Sequence, residues 1–203
     1  MAVTREQFES GMTYDAYKAQ MTRSRDQLEQ NEQSLELSPA DVTAFRNLPR
    51  PLHVLALAED WCGDVIANLP ILGRIARESG KLDVRVLLRD QHLDVMDQYL
   101  KEGKFRSIPV FVFLDDAFNE LAVWIERPES VTQARETRRR ELYAQHPEFG
   151  SADTPIAELP EDVRAQVQAA VMALRHEMAP FANREVVREL RELVERVSSR
   201  LVA

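Results

Sequence analysis

The spacing of hydrophobic residues changes twice along the chain, near residue 50 and again near residue 150. Up to residue 48, apolar side chains recur at roughly helical intervals among charged residues. They include Tyr14, Tyr17, Met21 and Leu28. Ser38 followed by Pro39 is typical of a helix start, and that helix has to end before Pro49. Residues 1–48 are therefore predicted to form a helical N-terminal extension.

Residues 49–150 alternate short apolar runs with longer stretches of helical periodicity. The apolar runs predict four strands, at 52–58, 82–88, 110–114 and 121–125. The stretches between and after them predict three helices, at 63–79, 91–102 and from Pro128 to about His146. Strands that alternate with helices over about 95 residues are typical of an α/β domain.

Residues 151–203 are again predicted to be helical, as a C-terminal extension that packs on the core. A first helix carries apolar residues from Val163 to Met178, and a second helix begins at about Asn183. The second has an apolar stripe on one side and closely spaced charges on the others. We expect the stripe to pack on the core of the domain. The alternative is contact with a second copy of the chain, a homodimer through the terminal helices.

Charge and composition exclude several classes of partner. The chain has 26 Lys and Arg residues against 34 Asp and Glu, a formal net charge of −8. An acidic chain is a poor match for nucleic acid or an anionic membrane surface. Its apolar runs are far shorter than the roughly 20 residues of a membrane span, and its first residues lack the apolar core of a signal peptide. We expect a soluble, cytoplasmic protein with no nucleic-acid or membrane partner.

Cys62 is the single cysteine, which excludes an intramolecular disulfide and a multi-cysteine metal site. The four histidines are scattered without the spacing of metal ligands. The sequence has no glycine-rich loop of the kind that holds phosphate groups. We therefore expect neither a bound metal nor a cofactor.

Cys62 lies at the junction between the first predicted strand and the following helix. A thiol at a helix N-terminus faces unpaired backbone N–H groups, which favour the nucleophilic thiolate. Three nearby acids, Glu59, Asp60 and Asp64, oppose this effect by repelling a second negative charge. Arg106 offers compensation if its side chain points inward. The sequence leaves the direction of the net pKa change open.

Three features together resemble the thioredoxin superfamily: the Trp61-Cys62-Gly63 loop, Pro70 within the next helix, and the Ser107-Ile108-Pro109 segment before a strand. The resemblance implies a thioredoxin-like fold, with a four-stranded mixed sheet flanked by helices and additional N- and C-terminal helices. It also implies that Cys62 is the catalytic thiol and that Pro109 belongs to the cis-proline loop beside it. The residues implied to bind substrate are Trp61, Gly63, Asp64, Ile108 and Pro109.

The extensions also have a counterpart among known proteins. The Arg127-Pro128 pair that opens the last core helix is similar to a subgroup of thioredoxin-like bacterial proteins, which carry helical additions at both ends. If both extensions pack on the core, they cover surface that thioredoxins leave open for large protein substrates. This arrangement would favour a small disulfide or a dedicated partner.

Two positions depart from the dithiol members of the superfamily. Val65 stands where those proteins have a second cysteine, and Ala56 stands where they have a buried acid. Without a second thiol, a dithiol–disulfide cycle within one chain is chemically impossible. The chain is therefore not a dithiol disulfide reductase.

Three functions remain open. In the first, Cys62 attacks a disulfide-containing protein or a low-molecular-weight disulfide, and an external thiol releases the mixed disulfide. In the second, the chain is a non-catalytic protein-binding module on a thioredoxin scaffold, and the Ile108-Pro109 loop pairs with an extended peptide. In the third, Cys62 is a single-cysteine redox sensor that is modified under oxidative stress.

Overall fold

A mixed β-sheet forms the centre of the protein, and the computed structural model describes residues 3–201. The sheet has five strands in the spatial order β1-β3-β2-β4-β5. In chain order they are β1 (Met12–Thr13), β2 (Leu52–Ala58), β3 (Leu82–Leu88), β4 (Val110–Leu114) and β5 (Glu120–Ile125). Strands β2 and β3 are parallel, and the other neighbouring pairs are antiparallel.

The helices precede, connect and follow these strands. They are α1 (Arg5–Glu9), α2 (Tyr14–Gln20), α3 (Arg25–Ser34), α4 (Pro39–Arg46), α5 (Gly63–Ser79), α6 (Leu93–Met96), α7 (Glu129–Gln145) and α8 (Glu161–Leu201). Short 3₁₀ turns lie at Arg89–Gln91, Pro147–Phe149 and Ile156–Glu158. The α/β class and the four predicted strands are confirmed.

The sheet has one strand more than the four predicted. The added strand, β1, pairs with β3 through Met12 opposite Val86. Two residues are too few to show a period in the sequence, so no pattern predicted this strand. Gly11 allows the close approach, because a Cβ at this position would lie 2.9 Å from Cβ of Arg85.

Two helices differ from their predicted lengths. The helix predicted at 91–102 is the single turn α6, and the chain after it takes left-handed backbone at Glu102 and Gly103. The two predicted C-terminal helices are one helix, α8, with Pro180 inside it. Proline removes one helical hydrogen bond, and Met178 and Ala182 on either side of it are both buried.

The described residues form two compact units. The first runs to Arg127 and resumes at Val186, and the second is Pro128–Glu185. In the first unit, β4 is buried along its whole length and β2 nearly so. The apolar stripe at the end of α8 belongs to the same hydrophobic cluster as the sheet. Its buried residues are Val186, Val187, Leu190, Leu193, Val194 and Val197. In the second unit, a smaller cluster gathers Tyr143, Phe149, Leu159 and Val167.

The N-terminal helices dock on α5 through a buried carboxylate. Glu32 of α3 accepts hydrogen bonds from the hydroxyl of Tyr14 and the ammonium of Lys18, each at 3.1 Å, and pairs with Arg77 of α5. Burial alone would raise the pKa of Glu32, but the hydrogen bonds from Arg77 and Lys18 outweigh burial and lower it. The ring of Tyr14 lies directly over Gly73, which has no side chain to obstruct it.

Gly73→Ala is expected to destabilise the protein by about 1–2 kcal/mol, because the new Cβ would lie 2.6 Å from a ring carbon of Tyr14. The sign of the change in unfolding free energy is informative, since Gly→Ala inside an ordinary helix stabilises by roughly 1 kcal/mol. Urea unfolding measures the difference. In a Tyr14→Ala background the substitution should lose its cost, and a cost that persists there would contradict the packing argument.

Glu32→Gln is expected to lower the free energy of unfolding by about 2 kcal/mol at pH 7, because it leaves two cations without their carboxylate. The loss should shrink as the pH falls below about 4. The lowered pKa makes the charge of Glu32 stabilising above the unfolded value, and protonation removes that stabilisation in the wild type. Urea unfolding at pH 7 and pH 3.5 measures the loss of stability and its decrease at low pH.

Glu29→Gln is the matched control, because Glu29 lies on the same helix and pairs with Arg25 on the exposed surface. Its cost should stay below about 0.5 kcal/mol. An equal loss for the two variants, or a loss at Glu32 that does not depend on pH, would contradict the assignment.

Candidate functional site

Cys62 occupies the N-cap position of α5, between the end of β2 and the first residue of the helix, Gly63. Its backbone is extended, with φ −88° and ψ 117°. The backbone N–H groups of Val65 and Asp64 lower the pKa of the thiol and so favour the thiolate, although the Cys62 side chain accepts no capping hydrogen bond. The predicted position of the thiol at a strand-to-helix junction is therefore what the structure has.

The Ile108-Pro109 loop lies against the thiol. Sγ of Cys62 donates to the carbonyl oxygen of Ile108 across 3.5 Å. The Ile108–Pro109 peptide bond is cis. The carbonyl of Pro109 in turn accepts from the backbone N–H of Glu126 at 2.7 Å. Residues separated by 46 positions in the sequence are thus brought together at one edge of the sheet.

Trp61 forms the exposed side of the site. Its side chain is 45% exposed, an unusual value for a tryptophan. The guanidinium carbon of Arg89 lies 4.7 Å from the centre of its ring, a cation–π contact. Arg89 also donates to the carbonyl of Arg106 at 3.1 Å, which connects Trp61 to the segment before Pro109.

The pKa of the Cys62 thiol is raised above its usual value. Burial is the largest cause, since a low-dielectric surrounding disfavours the charged form. The N–H groups of Val65 and Asp64 lower the pKa, while the carboxylates of Asp64 and Glu126 raise it. The question that the sequence left open is answered: burial and the neighbouring acids outweigh the helix N-terminus.

Two of the three acids considered from the sequence bind elsewhere. The carboxylate of Glu59 accepts the backbone N–H of Asp90 at 2.8 Å, and burial raises its pKa. The carboxylate of Asp60 accepts the backbone N–H groups of Thr22 and Arg23 at 2.8 and 2.9 Å. Asp60 therefore ties the loop before Cys62 to the N-terminal extension.

Arg106 does not supply the compensating charge. Its guanidinium pairs with Asp97 at 2.6 Å on an exposed part of the surface. A cation that pairs with two acids near Cys62 is Arg127, whose Nη1 contacts both Asp64 and Glu126. The sequence analysis noted Arg127 for its pairing with proline and did not assign it to the site.

Glu126 was also missed. It follows β5 and lies more than 60 residues from Cys62, so no local pattern connects the two residues. Its left-handed backbone, with φ 64°, is uncommon for a residue that is not glycine. The only signal in the sequence was the adjacent Arg127-Pro128 pair, which the resemblance had singled out.

Within residues 3–201, no helix is both long and apolar enough to cross a membrane. In the same described part of the chain, no group of three or more His, Cys, Asp or Glu side chains is arranged to hold a metal ion.

Comparison with known proteins identifies the family. A family model described as thioredoxin matches residues 11–139, well over half of the chain. The chain belongs to the thioredoxin family. None of the curated proteins matches this thioredoxin-family protein.

Two solved structures share the thioredoxin-like fold. A protein of unknown function from Pseudomonas aeruginosa is 24% identical, with a TM-score of 0.60 over 84% of this chain and 99% of that one. An HIV epitope-scaffold is 18% identical, with a TM-score of 0.62 over 96% of this chain and 98% of the other. At these sequence identities the likeness establishes the fold and does not indicate an activity.

The apparent pKa of Cys62 is expected to lie above the value of about 8.5 of a free thiol, because burial and two carboxylates act against two N–H groups. A pH titration of thiolate ultraviolet absorbance measures it, with Cys62→Ser as the blank. The single cysteine gives the signal one source. An apparent pKa below about 7 would show that the helix N-terminus prevails.

Proposed function

We propose that this thioredoxin-family protein is a monothiol thiol–disulfide exchanger that uses Cys62 as its nucleophile. The observation that carries the proposal is the position of Sγ. The sulfur lies at the N-terminus of α5 and 3.5 Å from the carbonyl of Ile108, next to Pro109. A nucleophilic thiol at a helix N-terminus beside a proline loop is the arrangement that the resemblance to thioredoxins implies.

The reaction consists of two exchanges. The thiolate of Cys62 attacks one sulfur of a disulfide, forms a mixed disulfide and releases the other sulfur as a thiolate, which takes a proton from water. An external thiolate then attacks the sulfur of the bound group, and Cys62 leaves as the thiolate. The chain has no second cysteine, and Val65 stands at the position of the resolving thiol. The external thiol is therefore a necessary reactant.

The residues around Cys62 have distinct parts in this proposal. Trp61 offers an exposed ring to the group carried by the disulfide, and Ile108 and Pro109 offer backbone on the other side of the sulfur. Gly63 begins α5 beside the thiol without a side chain. Asp64 is 7% exposed and paired, so we assign it an electrostatic effect on the thiol in place of direct contact with a substrate.

The N-terminal extension favours a small disulfide or a dedicated protein partner. Asp60 fixes Thr22 and Arg23 against the loop before Cys62, which occupies one side of the site. An external low-molecular-weight thiol that resolves the mixed disulfide is most abundant in a reducing compartment. We therefore place the activity in the cytoplasm.

A second candidate is a protein-binding module without catalysis. The raised pKa of Cys62 favours it, because a protonated thiol is a poor nucleophile near neutral pH. The exposed Trp61 ring, held by Arg89, offers contact area next to the Ile108-Pro109 loop. In this case a partner would bind equally well to Cys62→Ser.

Exchange activity is expected in the wild type and absent in Cys62→Ser and Cys62→Ala. A small organic disulfide with reduced glutathione as the external thiol is a suitable assay, with mass spectrometry to detect the mixed disulfide on Cys62. The rate constant of the first step should rise up to about tenfold per pH unit below the thiol pKa, because the thiolate fraction rises in this proportion.

A folded wild type that forms no mixed disulfide between pH 7 and pH 10 would contradict the exchanger. The same result in a chain whose partner binding survives Cys62→Ser would support the binding module. Turnover that persists in both Cys62 variants would contradict the role of the thiol.

A further inference from the structure

We propose that Arg127 is a positioning residue that controls the ionisation of Cys62 by holding the carboxylates of Asp64 and Glu126 in one ion-pair cluster beside the thiol. The inference rests on the proposed function for its effect on exchange. Its effect on the thiol itself is independent of any substrate.

The cluster joins three parts of the chain next to Cys62. Asp64 belongs to the first turn of α5, two residues after the thiol, and is nearly inaccessible to solvent. Nη1 of Arg127 contacts Asp64 and lies 2.8 Å from Oε1 of Glu126. The other carboxylate oxygen of Glu126 pairs with the ammonium of Lys101 at 2.7 Å. Two anions and two cations therefore alternate in space.

The backbone at Glu126 fixes the cluster against the site. Its N–H donates to the carbonyl of Pro109 at 2.7 Å, and its carbonyl accepts from the side chain of Asn68 at 2.8 Å. Asn68 is a buried residue of α5. These bonds support a left-handed conformation that is unfavourable for a residue other than glycine. Arg127 is the next residue, so the same bonds orient it.

The charges of this cluster act on the ionisation of the thiol in opposite directions. Asp64 and Glu126 both disfavour a negative charge on Cys62. A cation in direct contact with a carboxylate offsets part of the effect of that carboxylate on a third charged group nearby. Arg127 contacts both acids, so its removal would leave two carboxylates facing the thiol with reduced compensation.

The other charged and titratable groups near the thiol have different partners. Glu59 binds the backbone of Asp90, and Asp60 binds the backbone of the N-terminal extension. Tyr17 of α2 is fully buried, and burial together with Asp60, Glu59 and Cys62 raises its pKa, so it is neutral near pH 7. Arg106 pairs with Asp97 on an exposed surface.

Two single variants test the inference in opposite directions. Arg127→Gln should raise the apparent pKa of Cys62 by about 1, and Asp64→Asn should lower it by a similar amount. Thiolate absorbance against pH and the rate of iodoacetamide alkylation against pH both measure it. At pH 7, alkylation of Arg127→Gln should be about three- to fivefold slower, because the lower thiolate fraction is partly offset by its greater nucleophilicity.

Arg106→Gln is the matched control, because it removes an arginine from the segment that leads to Pro109 without touching Asp64 or Glu126. It should leave the pKa of Cys62 within about 0.2 of the wild type. Arg127→Lys keeps the charge and should restore most of the wild-type value. Circular dichroism and thermal unfolding show that each variant is folded.

A folded Arg127→Gln with an unchanged thiol pKa would overturn the inference, and so would an Asp64→Asn variant whose pKa does not fall. If Arg127→Gln fails to fold, Asp64→Asn and Arg127→Lys decide by the same measurement. No disulfide substrate enters these experiments. An inactive wild type whose thiol still responds to Arg127 would contradict the proposed function alone.

Discussion

The site depends on the position of β2 between a parallel and an antiparallel neighbour. Leu57 of β2 lies opposite Val110 of β4, so the carboxyl end of one strand meets the amino end of the other. The loop after β2 carries Cys62, and the segment before β4 carries Ile108 and Pro109. Because both faces of these strands are almost completely buried, a slip of one residue would move each apolar side chain to the opposite face and disrupt its packing. Core packing thus determines which backbone faces the thiol.

The same burial that fixes the position of Cys62 also disfavours the ionisation of its thiol. The partly buried sulfur between α5 and the Pro109 loop loses hydration, and this loss disfavours the thiolate more than the thiol. The N-terminus of α5 returns part of this free energy through two N–H groups. The protein also places Asp64 and Glu126 beside the sulfur. The N–H groups of the helix N-terminus and these two carboxylates therefore act on the pKa of the thiol in opposite directions.

The sequence predicts helices and strands that show hydrophobic periodicity. It does not predict contacts between residues that are far apart in the chain. The four longer strands and α5 were evident from runs of apolar residues, and the pairing of Cys62 with Pro109 followed from the resemblance to thioredoxins. The two residues of β1 carry no period. The pairing of Asp64 with Arg127 spans 63 positions and depends on the end of β5, so one sequence cannot indicate it. The continuity of α8 through Pro180 was likewise not predicted, because a proline inside a helical pattern ordinarily indicates a helix end.

The N-terminal extension is part of the site by the same reasoning. It is attached at Glu32, where a buried carboxylate binds α2 and α5, and at Asp60, where the loop before Cys62 binds backbone N–H groups. The second attachment lies close to the thiol in the sequence, because Asp60 precedes Cys62 by two residues. Its carboxylate accepts hydrogen bonds from the backbone N–H groups of Thr22 and Arg23 in the extension. The extension therefore fixes the orientation of one of the three acids that precede or follow Cys62 in the loop.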